Sequence, residues 1–213
     1  MTYSIKEIYY TLQGEGAQVG RPAVFCRFTG CNLWSGHEED RSKAICQFCD
    51  TDFIGTDGPG GGKFEDAKSL AQAVKLKWPN KGDSRVHPYV VCTGGEPLLQ
   101  LDTNLVDAFH EEGIEVAIET NGTCPAPVGL DWICVSPKAD AEIVIQNGDE
   151  LKLVFPQETA LPDRFEHLDF DHFFLQPMDG PDLVANTQKA LEYCKSNPRW
   201  KLSLQIHKVL GIP

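Results

Sequence analysis

YVVCTGGEP, from Tyr89 to Pro97, changes character half-way along. Tyr89 to Cys92 are apolar without interruption; Thr93, Gly94, Gly95 and Glu96 then turn polar before Pro97. A continuous apolar run fits a strand covered on both faces, as in a parallel sheet, and a glycine pair directly after it lets the backbone pass close to a ligand. Five other runs read the same way: AVFCRF at 23–28, EVAIET at 115–120, WICVS at 132–136, LKLVF at 151–155 and HFFLQ at 172–176. Helical patterns lie between several of them. In DAKSLAQAVKLKW, Leu70, Val74 and Trp78 recur at i, i+4 and i+8, while DTNLVDAFHEEG sets Leu105 against Phe109 and offers Gly113 just past the helix end. PDLVANTQKALEYCKSNP predicts a long helix that starts at Pro181 and stops before Pro198.

This alternation predicts an α/β fold in a single domain, 1–213. Roughly six β/α repeats are too few for a complete eight-stranded barrel of about 250 residues. The expected architecture is therefore a partial, incomplete parallel β/α barrel of about six strands, with a doubly wound flat sheet as the alternative. GTDGPGGGK at 55–63 reads as a surface loop. In such folds ligands gather at the C-terminal edges of the strands, and here those edges are polar: Cys31, Thr93 to Pro97, Thr120 to Gly122, Ser136 to Lys138, and Gln176 to Asp179.

Composition narrows the partners. A net charge of −12, from 19 basic against 31 acidic residues, opposes direct nucleic-acid binding. With no apolar run of about 18 residues and no leader-like start, the chain reads as a cytoplasmic protein away from membranes. Eight cysteines in such a chain are expected as thiols or metal ligands rather than disulfides. Cys26, Cys92 and Cys134 lie in strand runs and read as small buried hydrophobes; Cys124 and Cys194 fit no pattern.

The remaining three cluster in GCNLWSGHEEDRSKAICQFCDTDF, Gly30 to Phe53, as C-x14-C-x2-C. A structural zinc site closes with four ligands, and His37 is the one nearby candidate to join Cys31, Cys46 and Cys49. A 4Fe-4S cluster held by three thiolates instead keeps one iron open to a small molecule. Widening a gap from three residues to 14 costs only about 1.4 kcal/mol in loop closure, so the spacing is compatible with a cluster. The charged stretch at about 35–45 reads as a solvated insertion in the cluster loop.

The triplet resembles the radical S-adenosylmethionine superfamily, whose usual spacing is C-x3-C-x2-C, and CTGGEP at 92–97 is similar to its glycine-glycine-glutamate motif. TLQGEG at 11–16, FCRFTGCNLW at 25–34, CDTDF at 49–53, TGGEP, ETNG, SPK and QPMDG together resemble the 7-carboxy-7-deazaguanine synthase family over nearly the whole chain. That resemblance implies a lyase that contracts 6-carboxy-5,6,7,8-tetrahydropterin to 7-carboxy-7-deazaguanine with loss of ammonia, on the route to queuosine. A reduced cluster would split S-adenosylmethionine to generate the initiating radical. It further implies Cys31, Cys46 and Cys49 as iron ligands, and Phe48, Cys49, Asp50, Gly95, Glu96, Glu119, Asn121, Ser136, Pro137, Lys138, Gln176, Pro177, Met178 and Asp179 around the cofactor. Leu12, Gln13, Gly14, Glu15 and Thr93 are expected at the substrate.

Arg27 interrupts an apolar run, so its charge needs a partner, and a substrate carboxylate or a structural acid both suit it. Thr51 is a candidate Mg2+ ligand, because magnesium takes few protein ligands and completes its shell with water and substrate. The chain ends in an apolar stretch, QIHKVLGIP, expected to fold over the open barrel so that the Pro213 carboxylate meets the aminopyrimidine edge, with His207 beside it. The resemblance also suggests a homodimer and a flavodoxin or ferredoxin as electron donor. Two rivals stay open: a radical activase acting on a protein partner, and a non-catalytic metal-binding module.

Overall fold

The computed structural model describes residues 2–79 and 86–213. Nine strands form one sheet: β1 (Tyr3–Leu12), β2 (Pro22–Phe28), β3 (Gly62–Phe64), β4 (Tyr89–Gly94), β5 (Glu115–Thr120), β6 (Trp132–Val135), β7 (Asn147–Phe155), β8 (Asp169–Pro177) and β9 (Trp200–Leu202). Their order is β3-β1-β2-β4-β5-β6-β7-β8-β9. From β2 to β9 every pairing is parallel, and β1 joins β2 and β3 antiparallel. The six apolar runs are consecutive neighbours in the sheet, in the arrangement of an incomplete parallel barrel. β1, β3 and β9 extend it beyond the six strands expected.

Helices α1 (Ala67–Lys77) and α2 (Thr103–Glu111) cover one face of β2, β4 and β5. Leu70, Val74, Leu105, Val106 and Phe109 pack there against Val24, Cys26, Phe28, Val90, Cys92, Val116 and Ile118. Alternate residues of the same strands, Ala23, Phe25, Tyr89, Val91 and Ala117, form a smaller apolar cluster on the opposite, concave face. Burial on two sides is why these strands read as unbroken apolar runs. Asp66 and Asp102 cap the two helices through the backbone N–H of Ser69 (2.7 Å) and Leu105 (3.0 Å). Gly113 follows α2 at φ +69°, the left-handed conformation that favours glycine at a helix end.

Two expectations need correction. Among the described residues the crossovers β5–β6, β6–β7 and β7–β8 contain no α-helix, so six β/α repeats reduce to crossovers with α1, α2 and α3 (Leu183–Ser196). Ile143, Ile145, Phe165 and Leu168 cover the sheet there instead. The last long helix begins at Leu183, not Pro181. The stretch at 35–45 is exposed, as expected, but it is an ordered turn containing a 3-10 segment, Glu38–Lys43. Cys26, Cys92 and Cys134 are buried, and burial pushes their thiols up.

Candidate active site

A cavity of about 440 Å³ opens at the C-terminal edge of the parallel strands. Arg27 of β2, Thr93 of β4, Glu119 of β5, Lys152 of β7 and Gln176 of β8 all project into it, each near the end of its strand. Arg27 and Thr93 are direct neighbours in the sheet register. The apolar concave face thus becomes polar where the strands end.

Lys152 organises the floor. Its Nζ lies 2.7 Å from Glu15 and 3.1 Å from Glu119. Gln13 donates to Glu119 (3.1 Å), and Gln205 donates to Glu15 (3.0 Å). Burial alone would raise the Glu15 carboxyl, but the Lys152 ammonium and its hydrogen bond bring it down to about 2. Burial likewise opposes the Lys152 charge, and the surrounding acids hold its pKa well above the usual range. Glu150, deeper and without that direct ion pair, is raised by burial. Beside this group Arg27 uses Nε on Glu7 (2.8 Å) and Nη2 on the Tyr9 hydroxyl (2.9 Å). The arginine therefore has a structural acid and still forms part of the cavity wall.

The upper wall carries Cys49, Asp50 and Thr51, Gly94 and Gly95, Asn121, Ser136 and Lys138. Gly95 is required by proximity: a Cβ there would meet the Gly30 carbonyl oxygen at 2.0 Å and the Cys31 Cβ at 3.0 Å. The glycine turn therefore lies directly on the cysteine loop. Cys31, Cys46 and Cys49 are free thiols. A hydrogen bond from Cys46 brings Cys49 down to about 6, while the same bond and burial push Cys46 up. The Lys138 ammonium, its pKa lowered by burial, lies close enough to favour thiolates at both. Three free thiols with a nearby cation suit a thiolate-bound cluster. Among the described residues no three His, Cys, Asp or Glu side chains, His37 included, assemble into a site for a single metal ion.

Several expected residues stand elsewhere. Glu96 is fully buried, and its carboxylate accepts from Thr120 Oγ1 (2.7 Å) and the N–H groups of Asn121 (2.8 Å) and Leu98 (3.0 Å). It ties the β4 and β5 turns together, so its carboxylate is not directed at a ligand. Phe48, Pro137, Pro177, Met178 and Asp179 lie outside the cavity wall, as do Cys31 and Cys46, which stand behind Gly95 and Cys49. Leu12, Gln13, Gly14, Glu15, His207 and Pro213 do line it.

The C-terminal segment crosses the mouth. Helix α4 (Ile206–Leu210) hangs from the Gly14 carbonyl through the Ile206 N–H (3.0 Å), and Thr11 Oγ1 donates to a Pro213 oxygen (2.9 Å). Lys208 spans the rim, 2.6 Å from Asp50 and 2.5 Å from Asp179.

No protein-family model matches the chain. A curated relative from Caulobacter vibrioides, "7-carboxy-7-deazaguanine synthase", is 64% identical over 213 residues, covering 100% of both chains. One of the same name from Bordetella pertussis is 62% identical over the same span. The chain belongs to the 7-carboxy-7-deazaguanine synthase family. The crystal structure of QueE from Escherichia coli is also similar, with a TM-score of 0.72 at 26% identity, covering 97% of this chain and 95% of that one. A relative from Bacteroides thetaiotaomicron carries the same name at 38% identity, covering 100% of both chains.

For this family member the structure adds Lys6, Glu7, Tyr9, Lys152, Gln205 and Lys208 to the residues expected around the cavity. Lys152 was visible in principle, as a charge inside the apolar run LKLVF. Lys208 carries no such signal, and its role is open to test. Its ion pairs are partly exposed, so Lys208→Ala should lower global stability by less than about 1 kcal/mol. Limited proteolysis should nevertheless cut faster within 205–213. Unchanged cleavage there would show that the strap is held without this bridge.

Proposed function

We infer that this chain contracts 6-carboxy-5,6,7,8-tetrahydropterin to 7-carboxy-7-deazaguanine with loss of ammonia, as a radical S-adenosylmethionine lyase serving queuosine or related 7-deazapurines. One observation carries the reading: a single cavity joins the Cys49 and Gly94-Gly95 wall to a polar floor of Arg27, Glu119 and Lys152. Its volume falls within the roughly 300–1,000 Å³ usual for small-molecule sites. When bound, a 4Fe-4S cluster with S-adenosylmethionine supplies the hydrogen-abstracting radical chemistry that such a ring contraction needs.

Cys31, Cys46 and Cys49 would hold that cluster. The backbone at Gly95 and the polar groups of Asn121, Ser136 and Lys138 suit the cofactor's charged end. Arg27 offers a cation to the substrate carboxylate, while Gln13 and the Glu15–Lys152–Glu119 group provide fixed donors and acceptors for the pterin ring. Glu15, held ionised by Lys152, acts as a hydrogen-bond acceptor and not as an acid. The strap from Gln205 to Pro213 excludes water from the radical step. Thr51, on the wall, would offer its hydroxyl to a magnesium ion, which would supply positive charge beside the substrate.

A flavodoxin or ferredoxin supplies the electron, and the chain works as a cytoplasmic homodimer; no helix among the described residues is long and apolar enough to cross a membrane. Sedimentation as a monomer at working concentration would remove the dimer.

The test is anaerobic reconstitution with iron and sulfide, then reaction with S-adenosylmethionine, reductant and the carboxytetrahydropterin. Mass spectrometry should show a product that has lost ammonia. A cluster-loaded protein that leaves the pterin intact would overturn the reading and reopen the activase alternative. Turnover indifferent to magnesium chelation would remove the ion.

A further inference from the structure

One side chain holds the 14 residues that separate Cys31 from Cys46 against the cluster turn. Arg41 Nε lies 2.8 and 2.7 Å from the two oxygens of Glu38. Its Nη1 donates to the carbonyls of Gln47 and Cys49, both at 3.0 Å. Its flat face covers the Trp34 ring at 4.1 Å. Trp34 is itself fixed, 8% exposed, bonded through Nε1 to the His37 carbonyl (3.1 Å) and edge-on to Phe53. The guanidinium thus uses its edge and its face together, which a lysine cannot do.

The two carbonyls flank Phe48 in the C-x2-C turn. The Gln47 carbonyl and the Phe48 N–H belong to one rigid peptide plane and point in opposite directions. With the carbonyl bound to Arg41, the Phe48 N–H is held in one orientation on the opposite side of that plane. Hydrogen bonds to cluster sulfurs are among the features that set a cluster's reduction potential.

Building on the cluster assignment made under Proposed function, we propose that Arg41 is the positioning residue of the cluster turn: through the Gln47 and Cys49 carbonyls it fixes the backbone that carries Cys46 and Cys49. The insertion thereby replaces the short loop of the commoner spacing with a folded clamp. Arg41 touches neither iron nor substrate, so its effect appears in cluster retention and potential.

The test uses the reconstituted full chain and its Arg41→Gln, Arg41→Lys and Glu38→Gln variants. Iron release to a chelator is timed, the cluster midpoint potential is measured, and thermal stability is recorded without iron. Arg41→Gln should release iron at least tenfold faster and shift the potential downward, with unchanged iron-free stability. Arg41→Lys should restore little of either, and Glu38→Gln should lie between wild type and Arg41→Gln. Wild-type release and potential in Arg41→Gln would overturn the proposal. Full rescue by lysine would also overturn it, because charge alone would then suffice. Failure of the wild-type chain to retain iron would instead overturn the cluster assignment itself.

Discussion

Alanine at Cys31, Cys46 or Cys49, one at a time, is expected to abolish cluster binding and turnover together. Each removes one of three thiolates, and the cysteines held in the core cannot replace it. Cys26 and Cys92 are fully buried in the core shared with α1 and α2. Cys31 abuts Gly95 at the wall, Cys49 forms part of it, and the Cys46 thiol lies beside Cys49. Iron absorbance after anaerobic reconstitution should therefore vanish in the three variants and persist in Cys26→Ala and Cys92→Ala, which should cost about 1 kcal/mol of stability each, typical of single substitutions. Iron lost from Cys92→Ala but kept by Cys31→Ala would reverse the assignment. Because the three thiols share one center, double alanine variants should be no worse than singles, the non-additivity of groups that act as a unit.

The features legible in sequence were those whose physics is local. Six strands announced themselves because both faces are covered, which leaves unbroken apolar runs. β1 did not: its pairing with β2 shifts register between Ile5 and Glu7, and the bulge breaks the alternation that would mark a strand. β3 and β9 have three residues each, too few to show a period. The three crossovers without α-helix kept their apolar cover in irregular segments, where helical spacing has nothing to report.

The site divides in the same way. The cysteine triplet, the glycine turn and Arg27 stand out by spacing or by a charge among apolar neighbours. Lys152 sends the same signal as Arg27, but its meaning lies in Glu15 and Glu119, which β1's following turn and β5 bring to it. The Glu96 carboxylate illustrates the opposite limit. Its motif position points to a ligand, yet the folded turns of β4 and β5 offer it three closer donors. Arg41 lies within a stretch whose composition reads as solvent-facing, and only the fold reveals the carbonyls it holds.

Lys152→Met is the substitution expected to damage the fold most. The lysine side chain is 6% exposed and faces Glu15 and Glu119, themselves 14% and 22% exposed. Methionine keeps much of the volume and removes the charge, leaving two partly buried carboxylates that repel each other. Breaking a buried ion pair by removing one member typically costs about 3–5 kcal/mol, and that range is expected at pH 7. The pH dependence gives the cause away. In the wild-type chain Glu15 titrates at about 2 against an ordinary 4.5, so its contribution is complete above 4.5 and is lost as pH falls toward 2. Without the ammonium, burial raises the Glu15 carboxyl, so the variant is relieved by protonation as pH falls. The deficit should therefore be largest at neutral pH and shrink through the region of 4.5. Chemical denaturation of both proteins at pH 7 and pH 4.5 measures it directly. Adding Glu15→Gln to Lys152→Met should recover part of the loss, because the double variant no longer buries an unpaired Glu15 charge. A deficit equal at both pH values and unmoved by Glu15→Gln would mean that Lys152 stabilises the chain by packing alone.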